Sequence, residues 1–127
     1  MNFPVSKFII CALLFLFTLI SGVWLTHSGK PYNGVAFNIH KLIALAAVIV
    51  IGISINNLYK AMDPKAFGVL FIIAIAGLLF LALFITGALL SIGKPASEAI
   101  LRAHQVAPLL ALGASTASIY LLVTGQP

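Results

Sequence analysis

Four stretches of this chain carry no charged side chain: Phe8 to Gly29, Leu42 to Tyr59, Ala66 to Gly93, and Ala103 to the C-terminus. About 20 apolar residues, at about 1.5 Å of rise each, carry a helix across the hydrocarbon of a bilayer. Each stretch is of that order. Within hydrocarbon there is no water to take up backbone N–H and C=O groups, so each segment has to satisfy its own, and helix is the conformation that does so. The nine charged residues (Lys7, Lys30, Lys41, Lys60, Asp63, Lys65, Lys94, Glu98 and Arg102) all fall at or near the breaks between these stretches.

Composition excludes a soluble domain. Hydrophobic residues make up 62% of the chain and charged residues 7%, where a soluble domain carries about a quarter charged. The net charge of +5 is spread as single lysines at loop edges, with no basic cluster interleaved with aromatics. That pattern excludes nucleic acid and suits lipid headgroups or an anionic cofactor. The single cysteine, Cys11, excludes both an intrachain disulfide and a Cys-x-x-Cys redox pair, and it reads as a small buried apolar residue. The run after Lys7 is longer than the apolar core of a signal peptide, and no small-x-small cleavage site follows it. It is expected to be a retained first membrane helix.

The two halves of the chain match. Ser21-Gly22-Val23-Trp24-Leu25-Thr26 aligns with Thr86-Gly87-Ala88-Leu89-Leu90-Ser91. After a one-residue gap Gly29-Lys30-Pro31 falls on Gly93-Lys94-Pro95, and at the same offset His40 falls on His104, Leu45 on Leu109 and Ala47 on Ala111. Each half reads as a helix, a Gly-Lys-Pro loop, a short connector and a second helix with a histidine near its start. The expected fold is therefore all-α: an integral membrane four-helix bundle made of two tandem helical-hairpin repeats. Repeat 1 covers about 1–62 and repeat 2 about 63–127, within a single transmembrane domain. A parallel duplication of this kind has its pseudo-two-fold axis along the membrane normal and puts both Gly-Lys-Pro loops on one side. The polar connector from Asn56 to Lys65 contains Asp63-Pro64, which suits a helix start with Asp as cap and Pro in the first turn.

Depth singles out the histidines. Helix 1 is expected to leave the membrane near Thr26 to Ser28, and helix 2 to begin near Val35 or Ala36. Gly22 and His40 then lie at similar depth, and the repeat puts Gly87 and His104 at that depth in helices 3 and 4. One layer of the bundle would hold two histidines and two glycines on alternating helices. A b-type haem accounts for the pattern, because its iron takes axial imidazoles from opposite sides and a four-helix bundle can supply them from facing helices. Glycine leaves room for the macrocycle's edges. Ser21 and Thr86, just before the glycines, would hydrogen-bond the cofactor or a helix backbone. Small residues follow each histidine at helical spacing: Ala44 and Ala47 before Ile51, and Ala107, Ala111, Ser115 and Ser118. Pro108 removes the N–H that would otherwise bond the His104 carbonyl. The propionates of a haem need cations, and Lys30, Lys41, Lys94 and Arg102 lie on the histidine side against one acid, Glu98.

His27 has no repeat partner and reads as an interfacial histidine, or as a residue serving quinone or a proton beside a haem. Trp24 and Tyr32 read as interfacial anchors. Phe15, Phe17, Phe67, Phe71, Phe80 and Phe84 read as lipid-facing or packing residues.

With His40 and His104 on helices 2 and 4, preceded by Ser-Gly and Thr-Gly on helices 1 and 3, the chain resembles the membrane b-type cytochromes. The likeness is to the four-helix haem cores of the cytochrome b and cytochrome b561 superfamilies and of respiratory-complex anchor subunits. It implies one bis-histidine haem b and electron transfer, often to or from quinone, in a homodimer or a larger membrane redox complex. The membrane would be the plasma (inner) membrane of a prokaryote. The sequence departs from the larger members of those families, which have a second histidine pair toward the opposite face. One haem near one surface is therefore expected.

Two other classes compete. A proton-coupled four-helix transporter needs an intramembrane carboxylate, and the only acids here, Asp63 and Glu98, lie in a loop or at a helix start. A cofactor-free structural subunit would carry the same apolar helices and use its small residues only for packing.

Overall fold

The computed structural model describes residues 5–29, 32–63, 67–92 and 97–125. Its regular elements among those residues are helices: α1 (Val5–Ser28), α2 (Gly34–Ala61), α3 (Phe67–Ser91) and α4 (Glu98–Thr124). They contain 24, 28, 25 and 27 residues, and all four are long and apolar enough to cross a membrane. Each helix covers most of one charge-free run, but α2 and α4 begin well before theirs. Gly34 to Lys41 and Glu98 to Arg102 are helical although they carry the charges that delimit those runs. Loss of charge marks where hydrocarbon begins, whereas a helix can start earlier, among headgroups, if its first N–H groups are capped.

The caps are present. The Asn33 side-chain oxygen accepts from the backbone N–H of Val35 at 2.9 Å and of Ala36 at 3.1 Å, opening α2. Ser97 accepts from the N–H of Ile100 at 3.3 Å in an extended conformation, opening α4. Both use the short polar acceptor that orphan N–H groups at a helix start require. α1 ends as expected at Ser28, and Gly29 follows with φ 72°, a left-handed turn that glycine enters without a Cβ penalty. The expected Asp63-Pro64 start of α3 reaches into 64–66, outside the described residues, as do Lys30-Pro31 and Gly93-Lys94-Pro95 of the two loops.

The chain divides into two compact units, Met1–Asn57 and Leu58–Pro127. α1 and α2 form a hairpin in the first, α3 and α4 one in the second. Large apolar residues are exposed along all four helices, Leu42, Leu78 and Leu109 among them, as expected of surfaces that face lipid. About half of the buried positions are small, among them Cys11, Ala47, Ala76, Ala111, Ser54, Ser115 and Ser118, and the others are larger apolar residues such as Phe15, Ile51 and Leu122. Hydrophobicity does not drive helices together in lipid, and close approach at small residues does. Of the phenylalanines singled out above, Phe15 is buried, while Phe17, Phe67, Phe71 and Phe84 are exposed. Cys11 is buried as expected, with its sulfur 3.9 Å from the Ser54 hydroxyl. Ser54 spends its own proton on the Val50 carbonyl at 2.8 Å, so the thiol is the donor of that weak bond.

Candidate functional site

His40 sits six residues after the start of α2, about 9 Å along the helix, and Gly22 lies six residues before the end of α1. The two are brought face to face. A Cβ built on Gly22 would stand 3.2 Å from Cε1 of the imidazole and 3.8 Å from Nδ1. The histidine of the same hairpin thus fills the space that the missing side chain leaves. One residue earlier, the Ser21 hydroxyl lies 2.8 Å from His40 Nδ1.

The second hairpin holds the same contacts. A Cβ on Gly87 would stand 3.1 Å from Cε1 of His104 and 3.8 Å from its Nδ1. The Thr86 hydroxyl lies 2.8 Å from His104 Nδ1. Both imidazoles are half-buried.

The direction of these bonds follows from counting protons. A hydroxyl has one proton to donate. That of Ser21 goes to the Thr18 carbonyl at 3.0 Å, and that of Thr86 to the Ala82 carbonyl at 2.8 Å, with Leu83 at 3.2 Å. A hydroxyl whose proton is on the helix carbonyl accepts from the ring, and this reading assigns the proton to Nδ1 in both histidines. The lone pair of a neutral imidazole held in this way is on Nε2. That is the form in which histidine binds metals, with the other ring nitrogen donating to a fixed acceptor that sets tautomer and ring orientation. Among the described residues no three His, Cys, Asp or Glu side chains gather. The candidate donors are the two hydroxyl-bound imidazoles, one per hairpin, a set that suits a group bringing its remaining ligands with it.

The other expected site residues divide. Lys41 has its ammonium 4.7 Å above the centre of the Phe37 ring, and Phe37 in turn packs on Tyr32 with 5.6 Å between ring centres. Arg102 reaches Glu98 one turn earlier at 3.5 Å, and both side chains are well exposed. Lys30 and Lys94 lie outside the described residues. His27 and Trp24 are exposed in the last turns of α1. Three contributors were not singled out from sequence. The Thr18 carbonyl receives the Ser21 proton, and the Ala82 and Leu83 carbonyls serve Thr86; backbone acceptors leave no mark on residue identity. Asn33, which caps the helix that carries His40, was not singled out either, although an Asn just ahead of an apolar helix is a cap signal.

These features are those of a protein with four helices long and apolar enough to span a membrane and with a hydroxyl-bound histidine in each of two hairpins. Compared with protein-family models, with curated proteins and with solved structures, the chain matches none.

Proposed function

We propose that this protein is a small membrane b-type cytochrome that transfers electrons through one haem b, which His40 and His104 would hold by its iron. The observation that supports the reading is the pair of like contacts made by Ser21, Gly22 and His40 and by Thr86, Gly87 and His104. In each, a hydroxyl lies 2.8 Å from Nδ1 and a glycine makes room for the ring. A histidine retained only for packing would need neither a fixed tautomer nor a second copy with the same partners. The matched halves are read as a tandem duplication of one hairpin, with the two imidazoles as its repeated element.

Bound haem would supply one-electron chemistry by cycling its iron between ferric and ferrous states. The chain supplies neutral imidazoles, fixes their orientation and surrounds them with apolar helices that limit water. Lys41 and Arg102, with Lys30 and Lys94, would meet the propionates at the histidine side. With one hydroxyl-bound histidine per hairpin, His27 standing apart at the end of α1, and none among Asn56 to Lys65, a single haem near one face is the proposed stoichiometry. A partner subunit, a second copy or a quinone would have to complete an electron path across the bilayer. The setting proposed is a quinone-linked, respiratory or photosynthetic redox complex in a prokaryotic plasma membrane.

Haem content tests the reading. Protein purified from haem-replete cells should yield one non-covalent haem b per chain, and His40→Ala or His104→Ala should lower that yield severely. A folded wild-type preparation from which no haem can be extracted would leave the cofactor-free membrane subunit as the answer.

A further inference from the structure

The hydroxyls of Ser21 and Thr86 do more than fix a tautomer. Each is the middle of a relay: ring N–H to hydroxyl oxygen, hydroxyl proton to a helix carbonyl. On α1 the relay runs His40 Nδ1, Ser21 Oγ, Thr18 carbonyl, with steps of 2.8 and 3.0 Å. On α3 it runs His104 Nδ1, Thr86 Oγ1, Ala82 carbonyl, with steps of 2.8 and 2.8 Å. Donating its own proton makes a hydroxyl a better acceptor, because hydrogen bonds in a chain polarise one another, and in a low-dielectric surrounding they do so more strongly than in water. A ring whose N–H is drawn toward an acceptor is the more basic at its other nitrogen, and a more basic axial ligand favours the higher oxidation state of a metal.

We infer that Ser21 and Thr86 are positioning residues that hold the midpoint potential of the haem low, by polarising His40 and His104 through these two relays. The inference rests on the haem reading above and adds a role for residues that do not touch the iron. Neither residue is needed for packing volume alone: alanine at 21 and valine at 86 keep helix and approximate shape while removing the acceptor.

The experiment compares wild type with Ser21→Ala, Thr86→Val, the double variant, and the exchanged pair Ser21→Thr and Thr86→Ser. One readout is the midpoint potential by redox titration of the haem-loaded protein. The other is the ¹⁵N spectrum of the histidine rings in the haem-free protein. Each hydroxyl deletion should raise the potential. The double variant should shift the ferric-to-ferrous ratio at fixed poise by about tenfold, equivalent to about 59 mV for a one-electron couple. The exchanged variants should stay near wild type, since both keep a hydroxyl. In the haem-free wild type both rings should show a proton on Nδ1, and each deletion should release its own ring from that state.

Wild-type potentials in the deletion variants would overturn the inference, as would Nε2 protonation in the haem-free wild type. If a deletion variant sheds haem, its ring spectrum decides: an unchanged Nδ1–H signal overturns the relay, and a lost one supports it. A wild type without haem would refute the cytochrome reading instead, while the ring spectra would still report on the relays.

Discussion

Cε1 of His104 lies where Gly87 has no side chain, 3.1 Å from the point a Cβ would occupy, and His40 stands in the same relation to Gly22 at 3.2 Å. Alanine at either position would force the ring to move by a few tenths of an ångström against a 2.8 Å hydrogen bond to the preceding residue. Overpacking of this kind costs about 1–3 kcal/mol, which outweighs the helix-propensity gain of about 1 kcal/mol for replacing glycine. Gly22→Ala and Gly87→Ala should therefore lower the melting temperature in detergent and disturb the ring environment. Gly77→Ala and Gly113→Ala, whose added Cβ meets nothing within 4 Å, should be neutral or stabilising.

Ser115 makes a different test. Its hydroxyl oxygen is buried in α4 and has no hydrogen-bond partner, while Ser118 one turn on gives its proton to the Ala114 carbonyl at 2.7 Å. An unpaired buried hydroxyl carries a desolvation cost of about 1–3 kcal/mol, and removing it relieves that cost. Ser115→Ala should raise thermal stability, and Ser115→Thr, which keeps the hydroxyl, should not. The measurement is unfolding in detergent followed by circular dichroism.

Burial also separates leucines that hydropathy cannot. Leu122 is 0% exposed and Leu110 is 57% exposed on the same helix. Leu122→Ala should cost about 2–5 kcal/mol by leaving a cavity, and Leu110→Ala, which faces lipid, should cost little. Matched unfolding curves for the two variants check the inward face of α4.

The number and rough extent of the helices could be read from the charge-free runs, because lipid tolerates charge so poorly that its absence maps the hydrocarbon. Their true starts could not. Gly34 to Lys41 and Glu98 to Arg102 are helical because Asn33 and Ser97 cap them, and a charge-based boundary passes over a cap. Which face turns inward was only partly legible. All four helices are apolar almost all round, so the signal lay in size: the stripe from Ala107 to Ser118 was visible, whereas the pairing of Cys11 with Ser54, 43 residues apart, was not. Gly22 and Gly87 were expected to leave room for a macrocycle, and the structure puts the imidazole of each hairpin against them. Likewise Ser21 and Thr86 were expected to bond a cofactor or a backbone; they bond the backbone and the histidine ring. Contacts between residues 18 or 19 apart depend on how a hairpin closes, which residue types alone do not record.

The most direct test of the central claim is the spectrum of the purified protein, optical and paramagnetic together. The account predicts a reduced-minus-oxidised difference with sharp Soret and α bands of haem b, and a low-spin ferric signal typical of two imidazole ligands. His40→Ala and His104→Ala should each abolish the low-spin signal, either by losing haem or by leaving it five-coordinate. A haem signal that survives unchanged in either variant would contradict the assignment of that ligand, and a folded, colourless wild type would contradict the account as a whole.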